Sequence, residues 1–269
     1  MVTDISVRMK GYEKAARTFL EAKKPVIVRL DGRAFHTYTK GIEKPFDDVM
    51  VGAMMETTKK LCERVSGVLF GYSQSDEITL VLGDWQKEDT QPFFNNNIQK
   101  IVSITASMAT LYFNKAFAEL VTEKEKRVEV DEKVKAAYAR NIEHGANFDS
   151  RCFNLPFEEV VNCLIWREQD AIRNSIQAMA QSFFSHKQLD KKNTQMQKEM
   201  MREEKGVIWE DIAINLQRGF VCKRVQVEED IVVNIRGREE KKHITRDRWV
   251  IDKEIPLFWE DKGYIEKYL

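Results

Sequence analysis

Pro25-Val26-Ile27-Val28-Arg29-Leu30 is a β-branched run and reads as a buried strand. Asp31-Gly32-Arg33 follows directly, which puts Asp31 at the strand's C-terminal end. Before this strand, Lys10 to Ala22 has helical spacing, with Tyr12, Ala15, Phe19 and Leu20 as apolar positions and Pro25 as the stop. After it, Thr39 to Pro45 reads as a loop, and Asp47 or Asp48 stands where a side chain caps a helix running to about Val65. Met50, Met54, Thr58, Leu61 and Val65 share one face of that helix, so its methionines are core rather than a ligand box. Gly67 to Leu82 then reads as a hairpin. Val68 to Tyr72 is one arm, Glu77 to Leu82 the other, and Ser73-Gln74-Ser75-Asp76 the turn.

Further along, Ile98 to Leu120 reads as a long helix whose small residues permit close packing. Thr122 to Arg140 is strongly charged and reads as a solvated helix or a partly mobile insertion. Phe148 to Asn154 suits a strand, and Pro156 opens a helix from Phe157 to about Phe184. A polar helix over Lys187 to Lys205 follows. Gly219 to Glu228 and Ile231 to Arg236 read as a hairpin around Glu229-Asp230, with Trp249 to Ile251 a further short strand. The order predicts an α+β fold: a polymerase-palm-like, largely antiparallel sheet with helices packed on one face and a helical C-terminal annex. Residues 1–155 form the palm-like catalytic region in this reading. Residues 156–269 form a helical and hairpin region packed against it.

Composition narrows the classes. With 269 residues and 43% hydrophobic content the chain has enough apolar material for a sizeable core. Lys+Arg and Asp+Glu are both 43, so nothing draws the whole chain to nucleic acid, and RNA contact must rest on local patches. The four cysteines, Cys62, Cys152, Cys163 and Cys222, form no CxxC pair, which argues against disulfides and structural zinc. Met1 to Lys10 is polar and unlike a signal peptide, and no apolar run reaches the roughly 20 residues of a membrane span. A cytoplasmic protein with no membrane partner is the expectation.

The chemistry-bearing residues follow from the strand and hairpin. Asp31 and Asp76 lie far apart in sequence, but pairing of their strands brings them together. Two carboxylates about 4 Å apart repel by roughly 4 kcal/mol at an effective dielectric near 20. A divalent cation between them removes that repulsion, and Mg²⁺ suits carboxylate oxygens while leaving positions open for phosphates. Gly32 allows close backbone approach, and its carbonyl is a candidate third ligand. Ser75 offers a hydroxyl and a turn N–H to phosphate, Arg33 and Lys44 offset triphosphate charge, and Glu77 is a supporting carboxylate behind the ligands.

Arg29-Leu30-Asp31-Gly32-Arg33-Ala34-Phe35-His36, then Lys44-Pro45, then Gly71-Tyr72-Ser73-Gln74-Ser75-Asp76-Glu77 resemble the tRNA-histidine guanylyltransferase family. The likeness continues through Phe148-Asp149-Ser150-Arg151, Leu155-Pro156, Trp166-Arg167, Arg173 to Ile176 and Arg218-Gly219. The resemblance implies a palm working in the 3′-to-5′ direction. A tRNA 5′-monophosphate is activated with ATP, or a 5′-triphosphate is used directly, and the 3′-hydroxyl of GTP or another NTP attacks that end. It implies that Asp31, the Gly32 carbonyl and Asp76 hold two Mg²⁺ ions and are the catalytic centre. It also implies that Asp31 to His36 (Ala34 and Phe35 included), Lys44, Asp47, Ser75 and Asp76 line the nucleotide site. The partner is the 5′ end of a tRNA acceptor stem, and a homotetramer is implied.

Eukaryotic members carry a His-Ile-Asn-Asn-Leu-Tyr-like stretch where this chain has Ile172-Arg173-Asn174-Ser175-Ile176-Gln177. In this it is similar to the like-protein branch of bacteria, archaea and phages, which implies template-dependent repair of 5′-truncated tRNAs; strict guanosine addition to tRNA-histidine is the alternative. A palm-type nucleotide cyclase is disfavoured because the turn here is Ser75-Asp76-Glu77. A non-catalytic nucleotide- or RNA-binding protein is disfavoured because both carboxylates are retained. His36 reads as a phosphate contact or an ordinary satisfied histidine. Arg167 is expected to pair with Glu168, Glu158 or Glu159 rather than to bind phosphate, and Trp166 to be core rather than a base-stacking platform. Arg173 and Asn174 are the expected RNA contacts. The basic runs Lys124 to Arg127, Lys133 to Arg140 and Arg236 to Arg248 are interleaved with acids and read as solvated faces, with contact to tRNA as the alternative.

Overall fold

The computed structural model describes residues 4–235 and 238–269. In chain order the elements are α1 (Ile5–Ala15), β1 (Val26–Gly32), α2 (Phe35–Tyr38), α3 (Asp48–Arg64), β2 (Val68–Gln74), β3 (Glu77–Leu82), α4 (Ile98–Arg127), α5 (Glu132–His144) and β4 (Phe148–Asn154). Then come α6 (Phe157–Phe183), α7 (His186–Leu189), α8 (Thr194–Lys205), α9 (Ile214–Arg218), β5 (Phe220–Ile235), β6 (Arg238–Asp252) and α10 (Gly263–Glu266). The six strands form one sheet in the order β4-β1-β3-β2-β5-β6, every neighbouring pair antiparallel.

Alternation along the strands splits the core in two. Val28 and Leu30 of β1, with Ile78 and Leu80 of β3, pack under α3 and α4 against Met54, Leu61, Phe113 and Phe117. Those are the helices expected on one face. The opposite face is not bare. Ile27, Phe70, Tyr72, Val81 and Val221 meet Val160, Val161 and Leu164 of α6, together with Ile255, Phe258 and Ile265 near the C-terminus. A third cluster joins α6 to α8 through Ile176, Met179, Met201 and Trp209. Each fully buried Ile, Leu or Phe contributes about 1.5–3 kcal/mol relative to exposure.

The two ends of the chain are not separate layers. β5 pairs with β2 through Phe220↔Ser73 to Lys223↔Phe70, so the sheet runs from residues 1–155 into 156–269. Asp47 caps α3 by accepting from the Met50 N–H at 2.9 Å, as its position suggested.

Some boundaries differ from the sequence reading, each for a local reason. The first helix starts earlier and ends at Ala15, because the residues after it pair with the chain before α4: Phe19 bridges Asn97, and the Leu20 N–H donates to the Asn96 carbonyl at 2.9 Å. The charged stretch over 122–140 is divided between the end of α4 and α5, where Asp131 caps the second helix. The polar stretch over 187–205 breaks into α7 and α8, with Lys191 left-handed (φ +57°) between them. Glu229-Asp230 is not a turn. Both lie inside β5, opposite Ile244 and His243, and the hairpin continues to Ile235↔Arg238. Trp249 to Ile251 belongs to β6. Arg236, in the predicted second arm and basic run, and Met1 to Thr3 lie outside the described residues.

Candidate active site

Strand register assembles the acidic centre. Asp31 stands directly opposite Glu77 on β3 and Asp149 on β4, so three carboxyl side chains share one row of the sheet. Two of the three are compensated. Glu77, buried, accepts from Arg167 Nε at 2.7 Å, and Arg167 also pairs with Asp170 at 2.8 Å. Asp149 pairs with Arg151 at 2.6 Å. Asp31 has no ion pair or hydrogen-bonded side chain among the described residues. Burial first, and the Asp149 charge second, raise its carboxyl pKa, while Arg151, Arg29 and Arg167 oppose the rise.

Asp76 is carried to the same place by the β2–β3 hairpin. Ser75 turns the chain with a left-handed backbone (φ +49°), and its hydroxyl donates to Asp76 Oδ1 at 3.1 Å. The Gly32 N–H donates to the Asp76 carbonyl at 3.1 Å, tying the hairpin tip to the end of β1. The Asp76 carboxyl is pushed up to about 6, by burial first and by the Asp31 charge second. The pair expected from the sequence is therefore electrostatically coupled.

Gly32 has a further reason to be glycine. A Cβ there would sit 2.3 Å from the ring of Phe35. That ring is buried against Tyr38, Phe113 and Phe148 at centroid distances of 5.0–5.5 Å, and Ala34 makes the turn beneath it with a left-handed backbone. Phe35 thus holds the end of β1 in place by packing.

Beside the carboxylates opens a cleft of about 550 Å³. One wall carries Gly32, Ala34, Phe35 and His36, the loop from Lys44 to Asp47, and Gln74, Ser75 and Asp76. The other carries Ala171, Asn174, Ser175 and Ala178 of α6, and Asn215 to Gly219 at α9. Gly219 is left-handed (φ +87°), and a Cβ would meet the Ser73 carbonyl oxygen at 2.4 Å, so only glycine lets α9 approach the end of β2 this closely.

Most of the expected residues meet here, and some do not. Lys44, beside a cis bond to Pro45, is on the wall with no ion pair among the described residues. His36 is exposed on the wall, its Nε2 3.0 Å from the Thr37 hydroxyl. Asp31 lies just off the wall. Arg33 is not brought to it: its backbone N–H is taken by the Asn147 carbonyl at 2.8 Å and its side chain is exposed. Asp47 is on the wall, but its carboxylate is committed to the N–H groups of Met50 and Glu43 and to the Tyr138 hydroxyl at 2.7 Å, so it orders the loop. Asn174 faces the cleft, whereas Arg173 is exposed and pairs with Asp170. Arg167 makes the expected structural ion pairs, but with Glu77 and Asp170, because it points under α6 toward the sheet. Trp166 is not core. It is 49% exposed, since α6 overlies a charged row of the sheet at that turn.

Sequence reasoning assigned no role to Asp149, Gln74 or Asn215. Period-two alternation through Phe148 to Asn154 was the one available signal for Asp149; α9 is too short to show a pattern. A second acidic group, Glu43, Asp47 and Asp48, brings its oxygens within 4.8 Å of one another. The Lys124 ammonium already stands there, 2.6 Å from Glu43 and also bonded to Asp48, so this group is charge-balanced by the chain itself.

Residues 6–156 match the family model described as tRNAHis guanylyltransferase. A bacterial tRNA(His) guanylyltransferase-like protein in complex with ATP is similar at a TM-score of 0.79 and 37% identity, with 98% of each chain covered. A second bacterial structure of that description, in complex with GTP, gives 0.72 and 36%, again with 98% of each covered. An uncharacterized protein of Acanthamoeba polyphaga mimivirus is 30% identical over 242 residues, 86% of this chain and 80% of its own. The chain belongs to the tRNAHis guanylyltransferase family and is, like its members, a nucleotidyltransferase.

Proposed function

We propose that the chain adds nucleotides in the 3′-to-5′ direction to the 5′ end of a tRNA, with GTP or another NTP in the cleft and two Mg²⁺ ions at Asp31, the Gly32 carbonyl and Asp76. The observation that carries this reading is the coupled carboxylate pair at the cleft. Asp76 is pushed up to about 6 by burial first and by Asp31 second, and neither acid has a bonded cation among the described residues, although Arg151, Arg29 and Arg167 act on Asp31 from further off. An all-oxygen donor set with uncompensated charge fits a hard divalent cation. When bound, such ions offset phosphate charge and polarise the reacting oxygens.

The chain's own residues do the rest. Lys44 offers an ammonium with no ion pair among the described residues, and the left-handed turn at Ser75 presents its N–H beside Asp76, groups suited to a triphosphate, while the Ser75 hydroxyl is held by Asp76. Ala171 and Ala178 on the far wall leave room for a base and a ribose. In the transfer, the NTP 3′-oxygen forms a bond to the 5′ phosphorus of the RNA. The bond to the activating group breaks, releasing AMP from an end activated with ATP or pyrophosphate from a 5′-triphosphate. Arg167 acts at one remove: by pairing with Glu77 it offsets the repulsion between Glu77 and Asp31. The bacterial relatives that hold ATP and GTP support a purine nucleotide in this cleft.

Repair of shortened tRNAs is favoured over strict tRNA-histidine addition because Ile172 to Gln177 lacks the eukaryotic His and Tyr. We place the activity in a homotetramer on the family resemblance, and in the cytoplasm. No helix among the described residues is long and apolar enough to cross a membrane. The deciding experiment supplies labelled NTPs and Mg²⁺ with full-length tRNA-histidine and with a 5′-truncated, 5′-phosphorylated tRNA. Faster, template-matched addition to the truncated tRNA is expected. No labelled product with either RNA would overturn the assignment.

A further inference from the structure

Outside the cleft, on the far side of Asp31, the sheet and α6 form a small platform that the nucleotide site does not use. Its centre is Trp166, whose indole is 49% exposed and makes no hydrogen bond among the described residues. Arg29, on β1, reaches the ring with its guanidinium 5.4 Å from the centroid, and Arg167 lies at 4.3 Å. Arg29 has no ion pair or hydrogen bond of its own among the described residues. It stands opposite Arg151 on β4, whose charge Asp149 already answers, so Arg29 is the guanidinium of this row with no bonded anion among the described residues. Asp31 is two residues further along the same face of β1, about 7 Å away along the strand.

We propose that the Trp166 indole is a stacking platform for a base at the 5′ end of the acceptor RNA. The cleft beside Asp76 accounts for one reactant, and none of Trp166, Arg29 and Arg151 lines it. The second reactant must reach the same carboxylates from elsewhere, and this platform is exposed and aromatic, carries the Arg29 guanidinium, which has no ion pair among the described residues, and lies two residues along β1 from Asp31. An exposed indole backed by guanidinium groups is suited to the π-face of any base, so it grips the terminal nucleotide without selecting its sequence, as repair of different tRNAs requires. This inference rests on the nucleotidyltransferase reading for its choice of ligand.

The test uses the full chain, its W166F and W166L variants, and a 5′-phosphorylated tRNA transcript without NTP. The tRNA Kd is expected to rise about tenfold in W166L, the worth of one base–aromatic stack, and to change little in W166F. The KM for NTP should stay within twofold of wild type in both. Trp166 is one of five tryptophans, so tRNA should quench wild-type fluorescence by a share that W166F lacks. Equal quenching in wild type and W166F, or an unchanged tRNA Kd in W166L, overturns the platform. So does a W166L that weakens NTP and tRNA alike, since the ring would then serve only to hold Arg29 and Arg167. If W166L fails to fold, the quenching comparison decides alone. Quenching and Kd need no turnover. Intact Trp166 quenching with no transfer by the wild type would reject the enzymatic assignment and leave the platform standing.

Discussion

Two groups of carboxylates border the same cleft and are treated in opposite ways. In the first, Asp47 spends its oxygens on two backbone N–H groups and Tyr138, while Lys124 bridges Glu43 and Asp48. In the second, Asp31 and Asp76 are half-buried with their pKa values raised and, among the described residues, no ammonium or guanidinium bonded to either. The difference teaches how to read an acidic cluster. Charge that the chain neutralises for itself shapes a loop, and charge left unanswered beside a cavity is kept for a ligand.

The sharpest way to break this contrast is Asp76→Asn. Transfer should fall by on the order of 10³-fold, while thermal unfolding measured without divalent cations occurs no lower than in wild type, because a repulsion has been removed. A lower unfolding temperature would show that Asp76 is architectural after all.

Glu168 tests whether unanswered charge alone marks function. It is fully buried, with one oxygen held by the Phe258 N–H at 2.9 Å, the other without a hydrogen bond, and Arg218 at 3.9 Å. Burial pushes its carboxyl up to about 7. A carboxyl raised in the folded state binds protons that the unfolded chain releases, so stability falls as pH rises from about 4.5 to 7 and stays low above that. Relative to Glu168→Gln, wild type should lose on the order of 2 kcal/mol across this window in denaturant titrations, with transfer little changed. Equal pH profiles would mean that Arg218 compensates Glu168 fully. Because Glu168 lies away from the cleft, uncompensated charge points to a site only where a cavity adjoins it.

Lys124→Met addresses the balanced group. With Lys124 only 11% exposed and Glu43 and Asp48 more open, stability should drop by about 1–2 kcal/mol. With Asp31 and Asp76 both changed to Asn in each protein, added Ca²⁺ or Mg²⁺ should then raise the Tm of the Lys124→Met variant more than that of the protein with Lys124 intact. No cation response in the variant would separate the two groups further than charge balance explains. The smallest effect belongs to Glu63→Gln: its exposed pair with Lys60 should contribute less than about 0.5 kcal/mol by chemical denaturation.

What the sequence disclosed depended on burial. β1 and the β2–β3 hairpin were legible because their faces are buried, the strand from Phe148 to Asn154 because its half-buried and exposed residues alternate over its first half, and the Asp47 cap from its place before the helix. The long β5–β6 arm was misread because Arg224 to Asp230 alternate between exposed and half-exposed, so Glu229-Asp230 resembles a turn. The acidic pair was legible from strand adjacency, but the far wall was not, since Asn174 and Asn215 come together only through the packing of α6 and α9. Trp166 was misplaced for a similar reason. Its helix covers an apolar stretch of the sheet at Leu164 and a row of arginines one turn later, and helical spacing carries no record of what lies underneath.

The pairing of β2 with β5 sets a limit on dissection. The family match ends at residue 156, before β5 begins, so a fragment cut there would strip one side of Val68-Leu69-Phe70-Gly71-Tyr72, a stretch with no charge and no proline. Such a bare margin is a template for other polypeptides. The half of the molecule that holds the acidic pair should therefore precipitate when expressed alone, and remain soluble only when the C-terminal half is supplied beside it.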